Sequence, residues 1–274
     1  MLLRCAALAF TLIHAGMAFA GTIAEPSCAG SIEVRHALVV RVEKNGVLVL
    51  EDGRAVHLEG ILLPSGAPDG APVSFADQAI SELGNLAVGR AATLAAASPK
   101  EDRYGRVRAQ VFFRDRDEEP WLQLGMLSRG LARVSIAPDR RECARDLYAA
   151  EDRARARRIG IWAVDAYHVR MPSRVGATGT FQIVEGRVVS VSKSGGRVYL
   201  GFGTDRRRDF AASISSDDLR NFRETGVDPF SYADHVVRVR GWIERPGRPE
   251  IEVTIPEDIE IIEAPTLRGA VAPS

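Results

Sequence analysis

The feature that most restricts the fold of this chain is a pattern of short apolar runs separated by turn residues. Alternating apolar and polar residues at 34–42, 47–50 and 55–63 are typical of β-strands. The pair Asn45-Gly46 between the first two runs is a combination that closes hairpins. The pattern therefore favours a small antiparallel β-structure and excludes a helical bundle or a coiled coil.

Helical periodicity and further alternating runs follow this hairpin. They predict helices over 74–88, 121–129 and 142–158 and strands over 92–96 and 106–113. Five strands combined with three helices are typical of an OB-type barrel with helices packed around it. We therefore predict an α+β fold that is mainly β, with a first module over 34–163.

The same order of elements recurs after a segment rich in Gly and Pro. Residues 164–180 are predicted to be a linker, and 181–264 a second, smaller OB-like β domain. Its predicted strands are 183–191, 197–202, 209–214, 235–243 and 250–255, with one helix over 216–224. Residues 265–274 are predicted to be a flexible tail.

The N-terminal segment is typical of a cleavable secretory signal peptide over residues 1–20. Arg4 precedes an apolar stretch, and Ala18-Phe19-Ala20 is a small-residue cleavage site. The alternative is an uncleaved anchor, although the stretch is short for a membrane span. We expect cleavage after Ala20 and a periplasmic or secreted protein.

Two cysteines, Cys28 and Cys143, remain after such a cleavage. An even number of cysteines in an oxidising compartment predicts a disulfide between them. The net charge is zero, with 36 basic and 36 acidic residues, which argues against a strongly basic nucleic-acid-binding arm. Local basic patches remain compatible with that balance.

Three segments of the first module resemble the staphylococcal nuclease (thermonuclease) family. They are DRYGR at 102–106, GLARV at 130–134 and GIW at 160–162, and their order and spacing are similar to those of the family. The resemblance covers about residues 34–163. It implies an enzyme that cleaves DNA and RNA phosphodiesters with calcium, using two Asp ligands, a Glu that activates water and two Arg that bind the phosphate.

Most of the functional positions that the resemblance implies carry other residues in this chain. One metal-ligand position falls on Gly46 and the other on Leu62, while the general base falls on Ser65. The first phosphate-binding Arg corresponds to His57, and only the second is retained, as Arg106. Because Gly and Leu offer no oxygen ligand from their side chains, we expect no metal cofactor, although calcium is typical of the family.

Nearby acidic residues could replace the missing ones. Glu43, Glu59 and Asp69 are close in sequence to the lost positions, and His57 and Glu59 are two residues apart on a predicted strand, so both side chains are expected on one face. Such a pair could act in acid–base catalysis or bind a metal ion. The alternative is an exposed strand face with a weak ion pair. His57, Glu59 and Arg106 are therefore candidates, and no catalytic residue is assigned.

The DRYGR turn offers a candidate phosphate- or nucleotide-binding group of Arg106, Tyr104 and Arg103. The alternative is a structural turn, because Asp102 and Gly105 suit the closure of a hairpin.

A second basic patch is predicted at Arg206, Arg207 and Arg208, between two strands of the second module. Phe202 and Phe210 are nearby, and basic and aromatic groups on an OB sheet are typical of single-strand binding. The alternative is a solvated loop.

Two other groups are interpreted as structural. The arginines of the third helix are expected to form a solvated face paired with Glu151 and Asp152, and Trp242 is expected in the core.

The sequence supports three hypotheses about function. The first is an exported pseudoenzyme of nuclease fold that binds nucleic acid or a protein of the envelope. The second is a divergent metal-dependent phosphodiesterase that uses the relocated acids. The third is a partner-binding protein without any nucleic-acid role. The missing ligands weaken the second hypothesis, and the neutral charge weakens nucleic-acid binding.

Overall fold

The structure is a computed structural model. It describes Cys28 and residues 31–113, 120–244 and 248–263. The predicted signal peptide at 1–20 and the predicted tail at 265–274 lie outside these residues.

The first half of the chain forms a barrel with helices around it. Its strands are β1 (Ser31–Val42), β2 (Leu48–Leu50), β3 (Ala55–Leu58), β4 (Ile61–Leu62), β5 (Ala91–Ala96), β6 (Val107–Phe113) and β7 (Arg133–Val134). Its helices are α1 (Val73–Ala87), α2 (Leu122–Ser128) and α3 (Ala144–Ala156). In the described part of the chain, five strands close in the order β1-β2-β3-β6-β5, with β3 and β6 parallel and β4 paired with β7. The predicted barrel with packed helices is confirmed.

The periodicity of the sequence explains which faces are buried. In β1, Ala37 and Val39 are buried whereas Val40 is exposed, as expected for a strand with one face on the core. In α1, the buried residues are Ala79, Leu83 and Ala87, which are four positions apart and lie on one face.

The second half of the chain repeats the connectivity of the first. Its elements are β8 (Phe181–Arg187), β9 (Ser190–Ser194), β10 (Arg197–Gly201), β11 (Ala211–Ile214), α4 (Leu219–Glu224), β12 (Val236–Glu244), β13 (Glu250–Glu252) and β14 (Ile259–Glu263). The sheet order is β14-β12-β13-β11-β10-β9, and β8 pairs with β12. β8 lies beside β12, near one end of this order, and β9 is the strand at the other end. Only two residues separate β8 from β9, so the chain passes directly from one end to the other.

Two further features match the OB pattern. β11 and β13 are parallel, as β3 and β6 are, and α4 lies in the chain between β11 and β12. The prediction of a second β domain with OB-like connectivity therefore agrees with the structure. The strand predicted over 183–191 is divided into β8 and β9, with the buried Val188 between them, and β14 was not predicted.

The segment predicted as a linker, 164–180, is packed against both modules. It contains short 3-10 turns, and its Tyr167 is buried in a cluster with Trp162 and Ile183. Apolar contacts of this kind hold the two modules against each other, so the segment is a structured connection and not a free one.

Buried polar contacts also join the modules. Arg240 of β12 donates from Nη1 to Oε1 of Glu151 in α3 at 2.7 Å, and both side chains are nearly inaccessible to water. The hydroxyl of Tyr148 donates to Asp258 at 2.7 Å. The expectation of a solvated face is therefore wrong at Glu151, which is buried against the second module, whereas the expected pairing is present because Arg155 lies 3.6 Å from Glu151 and pairs with Asp152.

The predicted disulfide between Cys28 and Cys143 is present, with the two Cα atoms 5.0 Å apart. It joins the N-terminal segment to the residue that precedes α3. Among the described residues, the helices include none with the length and apolar character that a membrane crossing requires.

Candidate functional site

Four of the five positions at which the family resemblance implies functional residues lie around one cleft of the first module. The cleft has a volume of about 340 Å³ and is lined by Gly46, His57, Leu62 and Ser65, among others. Gly46 is in the turn between β1 and β2, His57 is on β3, Leu62 is on β4, and Ser65 follows it. Lys44 stands at the same cleft. The barrel therefore brings these positions together, but with different side chains.

The position of the first metal ligand cannot hold a side chain without rearrangement. Gly46 has φ of +82°, and a Cβ atom built there would lie 2.3 Å from Cδ1 of Leu63. Leu63 thus occupies the space that a ligand at position 46 would need. A backbone with this φ also disfavours any residue other than glycine.

The residues of the cleft do not fit a calcium ion. Calcium takes six to eight oxygen ligands, and carboxylates supply most of its protein ligands. None of the described residues that line the cleft is Asp or Glu. Across the described ranges, no group of three His, Cys, Asp or Glu residues could hold a metal ion.

His57 and Glu59 are not joined by a hydrogen bond or ion pair in the described part of the chain. Glu59 accepts hydrogen bonds from Arg108 at 2.7 and 3.2 Å, and Arg108 is the register partner of His57 on β6. The amide of Glu59 donates to the carbonyl of Ala109, and the charge of Glu59 acts on His57, so the two residues are neighbours along the same ladder. His57 lines the cleft described above, whereas the carboxylate of Glu59 is held by Arg108 and Glu59 lines a separate pocket beside Cys28.

His57 is poorly suited to carry a positive charge. Burial lowers its pKa; the carboxylate of Glu59 opposes this shift, and the positive charge of Arg106 adds to it. His57 is therefore neutral at pH 7 and cannot replace the charge of the arginine that the family has at this position.

Asp69, another candidate for a relocated catalytic acid, is buried in an ion pair. Its carboxylate lies 3.0 Å from Nη2 of Arg133 and accepts hydrogen bonds from the Tyr167 hydroxyl and the Ser65 amide. Burial opposes its ionisation, but Arg133 and these hydrogen bonds outweigh burial and lower the pKa of Asp69. Asp69 is thus a charged structural residue.

Glu43, the third candidate acid, is at the surface. Its Oε1 lies 3.4 Å from Nη2 of Arg41, and both side chains are largely exposed.

Arg106 forms an ion pair within its own turn. Its Nε donates to Oδ2 of Asp102 at 2.6 Å, and Oδ1 of Asp102 accepts from the amides of Tyr104 and Arg106. Gly105 has φ of +71°, which the turn requires. This geometry supports the structural alternative for Asp102 and Gly105 and leaves the charge of Arg106 partly neutralised.

The exposed part of the turn is aromatic and basic. The side chain of Tyr104 is 66 % exposed, and the guanidinium groups of Arg103 and Arg106 lie 4.8 and 5.0 Å from the centroid of its ring. The charge of Arg106 reaches His57, which places the turn beside the cleft. Cations stacked on an exposed ring form a surface on which a nucleobase and a phosphate can be bound together.

The second-module arginines lack the aromatic partners that the sequence indicated. Arg206, Arg207 and Arg208 are exposed between β10 and β11. Phe202 and Phe210, however, contact each other in the core with centroids 5.1 Å apart, so neither ring is available to a base.

Trp242 is 45 % exposed and contacts Phe181 edge to face. Its expected place in the core is therefore wrong, because the residue lies on the outer side of β12.

Sequence reasoning missed Lys44 and Leu63 as residues of the cleft. The Asn-Gly turn was the only sequence feature related to Leu63. A glycine with positive φ has no side chain, so a neighbouring side chain can pack in that space. No signal in the sequence indicated which neighbour does so.

The comparisons with known proteins agree with the architecture. Residues 55–164 match the family described as staphylococcal nuclease homologue. The match includes His57, Leu62, Ser65 and Arg106, and it begins after Gly46. No curated protein matches the chain.

Proposed function

We propose that this chain, whose residues 55–164 form a staphylococcal nuclease homologue domain, is an exported binding protein that has lost metal-dependent cleavage. Its ligand in this proposal is single-stranded nucleic acid, held at the cleft and at the DRYGR turn. The fold supplies the architecture, and the side chains at the site decide the function.

The observation that carries the proposal is the set of side chains around the cleft. Gly46, Leu62 and Ser65 stand where the resemblance implies two metal ligands and a general base. Without a metal ion or a base, the attacking water and the developing charge on the phosphate lack their main stabilisation. Leu63 fills the remaining space beside Gly46.

The acids that could have restored catalysis are engaged elsewhere. Glu59 pairs with Arg108, Asp69 with Arg133, and Glu43 with Arg41. The alternative function, a divergent phosphodiesterase, requires at least one of these carboxylates to turn into the cleft. For Asp69 that movement would leave a buried Arg133 without its partner, which is strongly unfavourable.

Binding is supported by the exposed groups beside the cleft. Tyr104 offers a stacking surface for a base, and Arg103 and the exposed Lys44 offer positive charge for phosphates. Stacking and local charge together are sufficient for binding a single strand without sequence preference. The zero net charge of the chain and the few basic groups at the site predict modest affinity with a weak dependence on salt.

Export is supported by the leader-like sequence of residues 1–20 and by the Cys28–Cys143 disulfide. Disulfides persist in oxidising compartments and are rare in the cytosol. The proposal therefore places the protein in the periplasm or outside the cell.

The test is the binding of labelled single-stranded DNA and RNA, measured by fluorescence anisotropy in the presence of chelator on residues 21–274. Tyr104→Ala removes the stacking surface, and we expect it to weaken binding about fivefold or more, because a stacked base contributes roughly 1–3 kcal/mol. Tyr104→Phe keeps the ring and should retain binding.

Phe230→Ala is the matched control, since Phe230 is an exposed aromatic residue of the second module, 47 % accessible. It should leave the affinity unchanged. If the parent protein binds no single strand, or if Phe230→Ala and Tyr104→Ala weaken binding equally, the nucleic-acid proposal is rejected and an envelope protein becomes the candidate partner.

A further inference from the structure

A second cleft lies on the outer face of the second module, away from the nuclease-like site. It has a volume of about 270 Å³ and is lined by residues of β9 and β10, the loop before β11, and Arg248 before β13. In OB folds, this outer face and the loop between the fourth and fifth strands are where ligands bind. Apart from its arginines, no pattern in the sequence indicated this cleft.

One wall of the cleft consists of hydroxyl groups. Ser190, Ser192 and Ser194 alternate along β9 and therefore project to one face, and Tyr199 of β10 is directly opposite Ser192. These four hydroxyls form no hydrogen bond with any other described residue. The wall thus offers donors and acceptors that are free to bind a ligand.

The floor of the cleft is formed by residues without large side chains. Gly201 and Gly203 line it together with Ala211. A Cβ atom at Gly201 would lie 2.6 Å from Oγ of Ser190, and one at Gly203 would lie 2.1 Å from Oδ2 of Asp209. The space beside these two glycines is therefore occupied by the side chains of Ser190 and Asp209.

The charges of the cleft are balanced, because Arg206 and Arg248 line it together with Asp205 and Asp209. Arg206 forms no ion pair with any described residue. Asp209 accepts from the amide of Asp205, and Asp205 accepts from the amide of Arg207, so both carboxylates are held by the loop and keep their charge. The guanidinium of Arg206 is therefore the group that an acidic ligand can reach in a cleft without net positive charge.

Arg248 contributes a second, partly compensated charge. Its guanidinium lies 5.2 Å from the centroid of the Tyr199 ring, and its Nη2 is 3.7 Å from Glu250. Its Nε is buried without a hydrogen-bond partner among the described residues. The Tyr199 ring is partly buried, whereas the Tyr104 ring of the first module is exposed, so Tyr199 is the less accessible of the two rings to a nucleobase.

We propose that this cleft binds a saccharide that carries one phosphate or carboxylate group. The hydroxyl wall matches the hydroxyls of the sugar, and Arg206 with Arg248 binds the acidic group. The volume is close to the lower limit of small-molecule pockets, roughly 300 Å³, and suits one or two sugar rings. The site is independent of the nuclease-like cleft and of its ligand.

The proposal is tested by calorimetric titration of residues 21–274, with the disulfide intact, against glucose 6-phosphate, glucuronate, glucose and inorganic phosphate. We expect saturable binding of glucose 6-phosphate or glucuronate with a Kd of about 1 mM or tighter, and clearly weaker binding of glucose and of phosphate. Comparison of the first two probes distinguishes a phosphate from a carboxylate ligand.

Variants locate the binding. Arg206→Ala should weaken it about tenfold, the effect of losing a charge-assisted hydrogen bond, and Ser192→Leu should abolish it by filling the cleft. Arg207→Ala is the matched control, because it removes the same charge from the same loop at a position that does not line the cleft. It should change the Kd by less than about twofold.

Three results would overturn the proposal. The first is the absence of saturable binding for both acidic sugars. The second is equal binding of inorganic phosphate, which would indicate a simple anion site. The third is an equal effect of Arg206→Ala and Arg207→Ala, which would indicate only the general charge of the loop. Thermal unfolding of each variant, unchanged from the parent, shows that the outer-face substitutions leave the fold intact.

Discussion

Gly46 is the single residue that most clearly separates this cleft from a calcium-binding one. Its backbone has a positive φ, and Leu63 occupies the space in front of it. Both the backbone angle and the position of Leu63 disfavour the Cβ atom that any other residue would add at position 46. A ligand at this position would therefore need a change in a second residue as well.

This gives a stability prediction for Gly46→Asp. The variant should unfold at a lower urea concentration than Gly53→Asp. Its free energy of unfolding should decrease by about 1–3 kcal/mol more, because overpacking against Leu63 adds to the backbone strain. Gly53 is the matched control, since its φ is +84° and nothing lies within 4 Å of its Cβ position. Adding Leu63→Ala to Gly46→Asp should recover part of the difference. Equal losses in the two single variants would contradict the clash with Leu63.

Some residue roles could be predicted from the sequence and others could not. The loss of the ligand positions at Gly46 and Leu62 follows from the side chains themselves. The burial of Asp69 does not, because its partner Arg133 is 64 positions away and only the fold brings the two together. The engagement of Glu59 by Arg108 does not follow either, because these two residues are 49 positions apart.

At the scale of elements, the order of strands and helices was readable because tight turns and periodicity are local signals. The Asn45-Gly46 turn lies between β1 and β2, and the helix predicted at 74–88 is α1 at Val73–Ala87. β14 was missed although Ile259 and Ile261 alternate with glutamates, which is a strand signal. The β4–β7 pair, only two residues long on each side, has no such signal.

The disulfide gives the element-scale prediction. Cys28 and Cys143 are separated by 115 positions, so the bond strongly restricts the unfolded chain. The double variant Cys28→Ser/Cys143→Ser should lose about 2–4 kcal/mol of unfolding free energy in urea. Reductant should destabilise the parent to a similar extent and leave the double variant unaffected. The prediction is contradicted if the parent protein, after unfolding and refolding in reductant, has the same free energy of unfolding as the oxidised parent.

At the scale of the whole molecule, a closed five-stranded barrel and a second β module with OB-like connectivity are packed against each other. The contact between Arg240 and Glu151 and the contact between Tyr148 and Asp258 both cross from one module to the other. Sequence analysis described the two modules as separate patterns of strands. It did not predict their contact, because the residues involved are charged and look like surface residues when read in isolation.

The interface gives a prediction about pH. Burial raises the pKa of Asp258 to about 7, and Glu257 and Glu151 add to the shift, while the Tyr148 hydroxyl and Arg240 oppose it. The unfolded chain has a pKa near 4 for this group, so the folded state alone binds a proton between about pH 4 and pH 7. The contribution of Asp258 to stability is therefore present below about pH 4 and is lost as pH rises to about 7.

Asp258→Asn tests this, because the amide oxygen can still accept from Tyr148 and carries no charge. The variant should be more stable than the parent at pH 8, by up to about 4 kcal/mol, since one pKa unit corresponds to about 1.4 kcal/mol. Urea unfolding at pH 5 and pH 8 is the measurement, and the exposed Asp217→Asn is the control. If the free energy of unfolding changes equally between pH 5 and pH 8 in the parent and in Asp258→Asn, this role of Asp258 is refuted.

The central claim, that this nuclease-fold protein no longer cleaves phosphodiesters with a metal ion, is tested most directly by a cleavage assay. End-labelled single-stranded DNA and RNA would be incubated with residues 21–274 in Ca²⁺, in Mn²⁺ and in chelator, beside Arg106→Ala. We predict the same intact strands under all conditions. Metal-dependent products that disappear in Arg106→Ala would contradict the claim and show that carboxylates reach the cleft in solution.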